Sequence, residues 1–322
     1  MSSSPPEAQL AAGGGHGVPA AGVMPRAAPG VRLQRAFAPY LQAAPLALVF
    51  ALFFILPLVI VVVVSFFDYN EYEIIFAFTG QNYREVFEGC IGDLPGLCLT
   101  FKTYLSTLRL CLIAWLLTLV IGFTVAYFLS FHVHTLTMQL VLFLICTIPF
   151  WTSNVIRMIS WIPLLGRNGL ANDALLALGL AEQRQEWLLF SEFSVLLAFV
   201  HLYTLFMIVP IFNSMMRIDR SLLEAAYDSG ASGWQTLIEI VIPLCKPGIA
   251  IGSIFVVTIV MGDFVTIGVM GGQQIASIGK VIEVQTSYLQ FPAAAANAVI
   301  LLAVVLMIIW GLTRIVDVRK EL

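Results

Sequence analysis

Residues Arg217–Pro247, RIDRSLLEAAYDSGASGWQTLIEIVIPLCKP, form a polar island between two long apolar runs. Two helix-start signals lie inside it. Ser221 stands three residues before Glu224, a spacing in which the hydroxyl accepts from the third helical N–H and the carboxylate reaches back to the cap amide. It predicts a short helix from Leu222 that stops at Gly230, because glycine enters the left-handed closing conformation without a Cβ penalty. Ser232 and Gln235 repeat the spacing and predict a second helix through Trp234, Leu237 and Ile238, ended by Pro243, which has no N–H to donate. A helix, a glycine elbow and a second helix between membrane spans read as a docking element, not a catalytic one.

Composition sets the surroundings. The 322 residues are 60% hydrophobic and 11% charged, with mean hydropathy +0.94, which places the chain among polytopic all-α membrane proteins. A net charge of −3 supplies no polybasic surface for nucleic acid. The five cysteines show no metal-binding spacing. Cys111 and Cys146 fall inside apolar runs, and Cys245 lies at one end of the island. Cys90 and Cys98 share one polar segment around Leu94-Pro95-Gly96, where they either close a small disulfide loop in an oxidising compartment or stay free thiols.

Residues 1–38, rich in Ala, Gly, Pro and Ser, read as a disordered tail, and 39–322 as a membrane domain. Length and charge exclusion place six spans near Leu46–Phe67, Leu108–Phe131, Met138–Ser160, Val195–Met215, Ile249–Met270 and Ala294–Ile315. Arg26, Arg32, Arg35, Arg217, Arg220, Lys246, Arg314, Arg319 and Lys320 fall on one side, whereas acidic residues outnumber basic ones in the opposite loops. This bias puts both termini and the island in the cytoplasm, and Cys90 with Cys98 outside. Between spans 3 and 4, GRNGLANDALLALGL (166–180) is too short and polar to span. Asn172 or Asp173 is expected to cap an amphipathic helix there built on Leu175, Leu176, Leu178 and Leu180. That helix is either a surface lid or part of a rim for a soluble donor protein.

Glu224-Ala225-Ala226, Gly230, Ile240 and Ile242-Pro243 fall at the spacing of the EAA loop of ABC-importer membrane subunits, with Ile242 where leucine is usual. The resemblance continues through Thr107-Leu108-Arg109, Ala126-Tyr127-Phe128-Leu129, Pro149-Phe150-Trp151-Thr152-Ser153, Arg157, Gly169 with Asn172, Gly262-Asp263-Phe264-Val265 and Gly271-Gly272. Those stretches resemble the first membrane subunit of spermidine/putrescine importers. Ile267, where many relatives have proline, and Phe291-Pro292, where they tend to have Trp-Pro, depart from that pattern.

The resemblance implies a six-span, type I (MetI-like) permease in the bacterial inner membrane, importing a polyamine such as spermidine or putrescine. It implies a second permease completing a heterodimer, two copies of a cytoplasmic ATPase that bind ATP and Mg, and a periplasmic or surface substrate-binding protein. Ser221, Leu222, Glu224, Ala225, Ala226, Asp228 and Gly230 would couple to the ATPase. Opines, amino-acid-like compounds and phosphonates are the alternative solutes. An ion-coupled secondary transporter is the alternative mechanism, disfavoured by the few intramembrane carboxylates.

No nucleotide site is legible. Gly272 to Lys280 spaces its glycines too widely for a phosphate loop and is followed by Val281. His16, His132, His134 and His201 form no metal-ligand pattern, so the chain is read as a non-enzyme without a cofactor of its own. An aspartate at mid-membrane costs about 2.5–3.5 kcal/mol on insertion scales. Asp263 therefore either lines a passage or gate for a cation, or sits high in its span bonded to Thr266 in a packing role. Arg157 either pairs with a carboxylate such as Asp263 or snorkels to the interface. Trp151, Trp161 and Tyr127 offer cation–π faces or interfacial anchors.

Overall fold

A computed structural model describes residues 42–70, 73–88 and 98–315. The expected tail, Cys90 and the last seven residues lie outside them. Packing divides the chain into Met1–Pro57 and Leu58–Leu322; the described part of the first unit, 42–57, is the opening of helix α1 (Gln42–Val64).

After α1 come a hairpin of β1 (Phe67–Tyr69) and β2 (Ile74–Phe78) and the short α2 (Gln81–Val86). Next are α3 (Leu99–His132) and α4 (Leu136–Trp151), then α5 (Asn154–Ile159), α6 (Trp161–Leu165) and α7 (Leu170–Ala177). The chain continues with α8 (Glu192–Met215), α9 (Arg220–Asp228), α10 (Gly233–Gly262), α11 (Val265–Met270), α12 (Ile278–Ser287) and α13 (Phe291–Ile315). Among the described residues, five continuous helices are long and apolar enough to cross a membrane, α1, α3, α8, α10 and α13. A sixth span exists only if α4 and the segment 154–177, bent by 91° at the break, count as one.

Two expectations about span ends change. The third span is not one helix over Met138–Ser160. Pro149 sits in a tight 3₁₀ turn, Ile148–Trp151, and Thr152 is extended with ψ 152°, so the helix stops and restarts at Asn154. Nor does the fifth run through to Met270. It ends at Gly262, and Asp263 is extended with ψ 110° before α11 begins.

Pro243, in turn, does not end the island's second helix. A wide π-helical turn at Leu237–Val241, in which the Ile242 N–H reaches back to Leu237 O, precedes it. Proline lacks the N–H and crowds the carbonyl four residues back; widening that turn absorbs both defects, so α10 continues as a span. The same device, Ala51–Ile55 with Leu56 N–H on Ala51 O, precedes Pro57 in α1.

The core forms where α8 is enclosed by α3 and α10. Phe199, Leu202, Met207, Ile211 and Met215 of α8 pack with Cys111 and Ala114 of α3 and Val256, Val260 and Met261 of α10. In lipid no solvent drives helices together, so close packing and interhelical hydrogen bonds must hold them. A Cβ on Gly122 would lie 2.9 Å from Met207 Cβ, and one on Gly248 2.5 Å from Pro210 O. Glycine at these places lets three backbones approach. Trp115 Nε1 adds a bond to Ser253 Oγ at 2.8 Å, joining α3 to α10.

Candidate functional site

The island is built from its caps outward. α9 begins at Arg220 with Asp219 as its cap, the carboxylate accepting from Ser221 N–H at 3.0 Å. The expected capping box of Ser221 and Glu224 is therefore not formed. A charged acceptor two residues upstream takes the orphan amide, and Ser221 becomes the second residue of the helix. This bond holds the Asp219 carboxyl below the usual carboxylate range. The closing end matches the expectation: Gly230 has φ +83°, its N–H bonds to Tyr227 O at 2.9 Å, and Ala231 N–H reaches Ala226 O at 3.0 Å. That pair of bonds is the Schellman closure. Ser232 and Gln235 form their reciprocal box at 3.3 and 2.8 Å.

The result is a short rigid helix with one face in and one face out. Leu223 packs against the core. Ser221, Leu222, Glu224, Ala225, Asp228 and Gly230 are exposed and Ala226 is half-buried. Behind α9, a cleft of about 370 Å³ separates Arg220, Glu224 and Tyr227 from Tyr127, His132 and His134 at the end of α3.

A larger cavity of about 1320 Å³ opens among α4, α8 and α10 and extends to Asp219 and Leu222 beside α9. Phe143, Phe150, Trp151, Phe206 and Phe255 line it. Of Trp151, Arg157, Asp263 and Thr266, the residues the sequence offers for a substrate path, only Trp151 is on this wall. Sequence reading missed the phenylalanines, because within a uniformly apolar span nothing marks which ones face a cavity.

Asp263 lies at the α10–α11 break and collects neutral donors. Thr266 N–H and Oγ1 bond its two oxygens at 2.9 and 2.5 Å, and the Tyr203 hydroxyl of α8 donates to Oδ2. The expected bond to Thr266 is thus present, with Tyr203 as an added partner. Arg157 is 8% exposed and donates to Asn154 Oδ1, while its Nε is buried with no partner among the described residues. The ion pairs among those residues are Arg109–Glu192, Arg167–Glu186, Arg184–Asp173 and Lys280–Glu283. An Arg157–Asp263 pair is not one of them, since Asp263 is already satisfied locally.

The other candidates have specific partners. Trp161 Nε1 donates to His201 Nδ1 at 2.9 Å, and the Tyr127 ring packs against Phe131 and His132. Asn172 is no helix cap: Gly169 opens α7, and Asn172, fully buried, bridges Gly166 O, Gln185 O and Gln185 N at 2.6–3.1 Å. It ties the 166–185 loop together. Cys98, in a disulfide, opens α3 by accepting from Phe101 N–H at 3.4 Å. Its expected partner, Cys90, lies outside the described residues.

No family model matches the chain. It is 33% identical over 276 residues to the spermidine/putrescine transport system permease protein PotB of Escherichia coli (strain K12), covering 84% of this chain and 96% of that one. The chain belongs to the PotB family of ABC-importer permeases. The Haemophilus influenzae protein of the same name is 28% identical to the permease over 291 residues, 87% of this chain and 97% of that one. The permease also shares its fold with a chain of a bacterial ABC transporter involved in the import of the acidic polysaccharide alginate. The TM-score is 0.70 at 18% identity, over 89% of this chain and 97% of that one. It is a multi-pass membrane transport subunit.

Proposed function

We propose that the permease forms half of the import path for a polyamine and docks a separate ATPase through α9. The carrying observation is α9 itself, a capped, closed helix whose Leu222, Glu224, Ala225 and Asp228 are exposed. A second permease supplies the other half of the path, two ATPase copies bind ATP and Mg, and a binding protein delivers solute at the opposite end. This chain then needs no nucleotide or cofactor of its own. Both termini and α9 lie in the cytoplasm, and Cys90 pairs with Cys98 on the outer side, where reduction by an added thiol would raise the intact mass by two hydrogen atoms.

A short, stiff docked helix passes a partner's rigid-body movement on to what it packs against. Its Leu223 contact with the core would carry ATPase closure into the spans. The aromatic cavity offers a solute cation several ring faces; Asp263 with Thr266 stands at the α10–α11 break, and Arg157 on α5 just after the break in the third span, both places suited to gating.

The test uses the permease reconstituted with its partner subunits in vesicles. Glu224→Ala and Gly230→Pro should leave membrane insertion intact and ATP hydrolysis running while polyamine uptake falls by at least about tenfold. Proline cannot adopt φ +83° and removes the N–H bonded to Tyr227 O. Full uptake by both variants would overturn the coupling role.

A further inference from the structure

The hairpin that follows α1 exposes aromatic rings on a rigid frame. Thr79 N–H bonds Phe66 O at 2.7 Å, returning the chain to within two residues of the end of α1 at Val64. Asn82 Nδ2, buried, holds Ser65 O at 2.9 Å and Phe67 O at 2.7 Å, and Ser65 Oγ shares a hydrogen bond with Tyr83 OH at 2.7 Å. On this base the Phe67 ring meets Phe76 and Phe78 edge-on, with centroids 5.3 and 5.5 Å apart. Residues two apart on a strand share a face. Phe76 is 84% exposed and Phe78 76%.

Polarity rises along the hairpin from base to turn, interrupted only by Asp68, half-buried with its Oδ1 accepting from Tyr69 N–H at 2.9 Å; the exposed Gln81, Arg84 and Glu85 belong to α2, beyond the base. The base is Phe66, Phe67 and Phe78, adjoining the exposed side chains Leu58, Val59, Ile60, Val61 and Val63 of α1. The far end is a polar turn in which Asn70 N–H bonds Glu73 O at 3.1 Å and Asn70 Oδ1 accepts from Glu73 N–H at 2.8 Å. A protein-docking patch has an apolar centre ringed by polar groups. A bilayer boundary instead imposes a gradient along a single axis, apolar toward the acyl chains and polar toward water, with aromatic rings between. The hairpin has the second pattern.

We propose that Phe76 and Phe78 insert into the lipid headgroup–acyl boundary at the mouth of α1, making the hairpin an interfacial anchor. The Asn70–Glu73 turn stands in water above it. A strand of five residues reaches about 17 Å, enough to cross the interfacial zone with only its turn emerging. Fixing the hairpin to lipid fixes the depth at which α1 leaves the membrane and, through β1 and α2, bears on α13, which packs against both. The inference requires only that α1 spans the bilayer, and it is independent of solute and partners.

The test is depth-dependent fluorescence of the full chain in phosphatidylethanolamine/phosphatidylglycerol vesicles. Phe76→Trp, Phe78→Trp and Glu73→Trp are each read as added emission over the parent protein. Emission added at 76 and 78 should fall by roughly half with lipids brominated near the headgroup and ignore aqueous iodide. Emission added at 73 should respond to iodide and not to bromine. Iodide quenching at 76 and 78 would place them in water, and the absence of both kinds of quenching would place them against protein. Either result overturns the anchor, as would equal bromine quenching at 73 and 76.

Discussion

The chain breaks its helices at Gly230 and at Asp263 by opposite means. The Gly230 elbow is closed locally: a left-handed glycine, two backbone bonds back into α9, and a reciprocal Ser232–Gln235 box opening α10. The Asp263 break is held at a distance, by Tyr203 from 60 residues earlier in the chain as well as by Thr266. A local break belongs where a segment must be stiff yet exposed. A tertiary break belongs where two packed helices must register with each other, and it changes when they move.

This contrast can be broken from either side. The largest effect is expected at Asp263→Ala, which leaves the Tyr203 hydroxyl and the Thr266 donors without their acceptor. The loss should be about 2–3 kcal/mol, read as thermal stability in detergent. Adding Tyr203→Phe should recover part of it, and strict additivity of the two changes would show that the break does not depend on α8.

Next is Gly248→Val on the tertiary side. Even its Cβ would sit 2.5 Å from Pro210 O, so α8 and α10 must separate. About 1–3 kcal/mol should be lost, while α9 remains helical. Equal loss of α9 protection in hydrogen exchange would contradict the elbow's independence. On the local side, Gly230→Ala should cost about 1–2 kcal/mol through its positive φ alone, exposing α9 amides to exchange and leaving the core amides unchanged.

The smallest effect is pH-dependent. The Asp219 carboxyl is held below its ordinary value of 3.8 by Ser221. A depressed carboxylate contributes its stabilisation in full above the ordinary value and loses it as pH falls through the lowered one. Hydrogen exchange should show the first turn of α9 fraying only in that acidic window. Asp219→Asn should remove the pH dependence while keeping the cap.

The elbow was legible because its signals are polar residues at fixed spacing. Gly230, Ser232 and Gln235 act as their positions imply. The misreading at Ser221 arose where two acceptors compete for one amide, and Asp219, charged and upstream, takes it. Pro243 misled for a related reason. Its missing donor is a local fact, whereas the wide turn that accommodates it depends on α10 continuing into the membrane. Asn172 has a cap's chemistry, yet its bonds to Gly166 and Gln185 require a loop closure invisible in one dimension.

By itself the sequence determined that the chain crosses a membrane several times, where most of those crossings lie, and that a capped helix with a glycine stop interrupts them. Length, apolarity and backbone chemistry decide such features within a few residues. Only the tertiary structure decided that Tyr203 meets Asp263, that Arg157 forms no ion pair with it, and that five aromatic side chains share one cavity. Spans apolar on every side carry no periodic contrast to tell lipid-facing from inward-facing positions. Contacts between distant helices are settled by how closely their backbones approach, here at Gly122, Gly248 and Gly252 around α8.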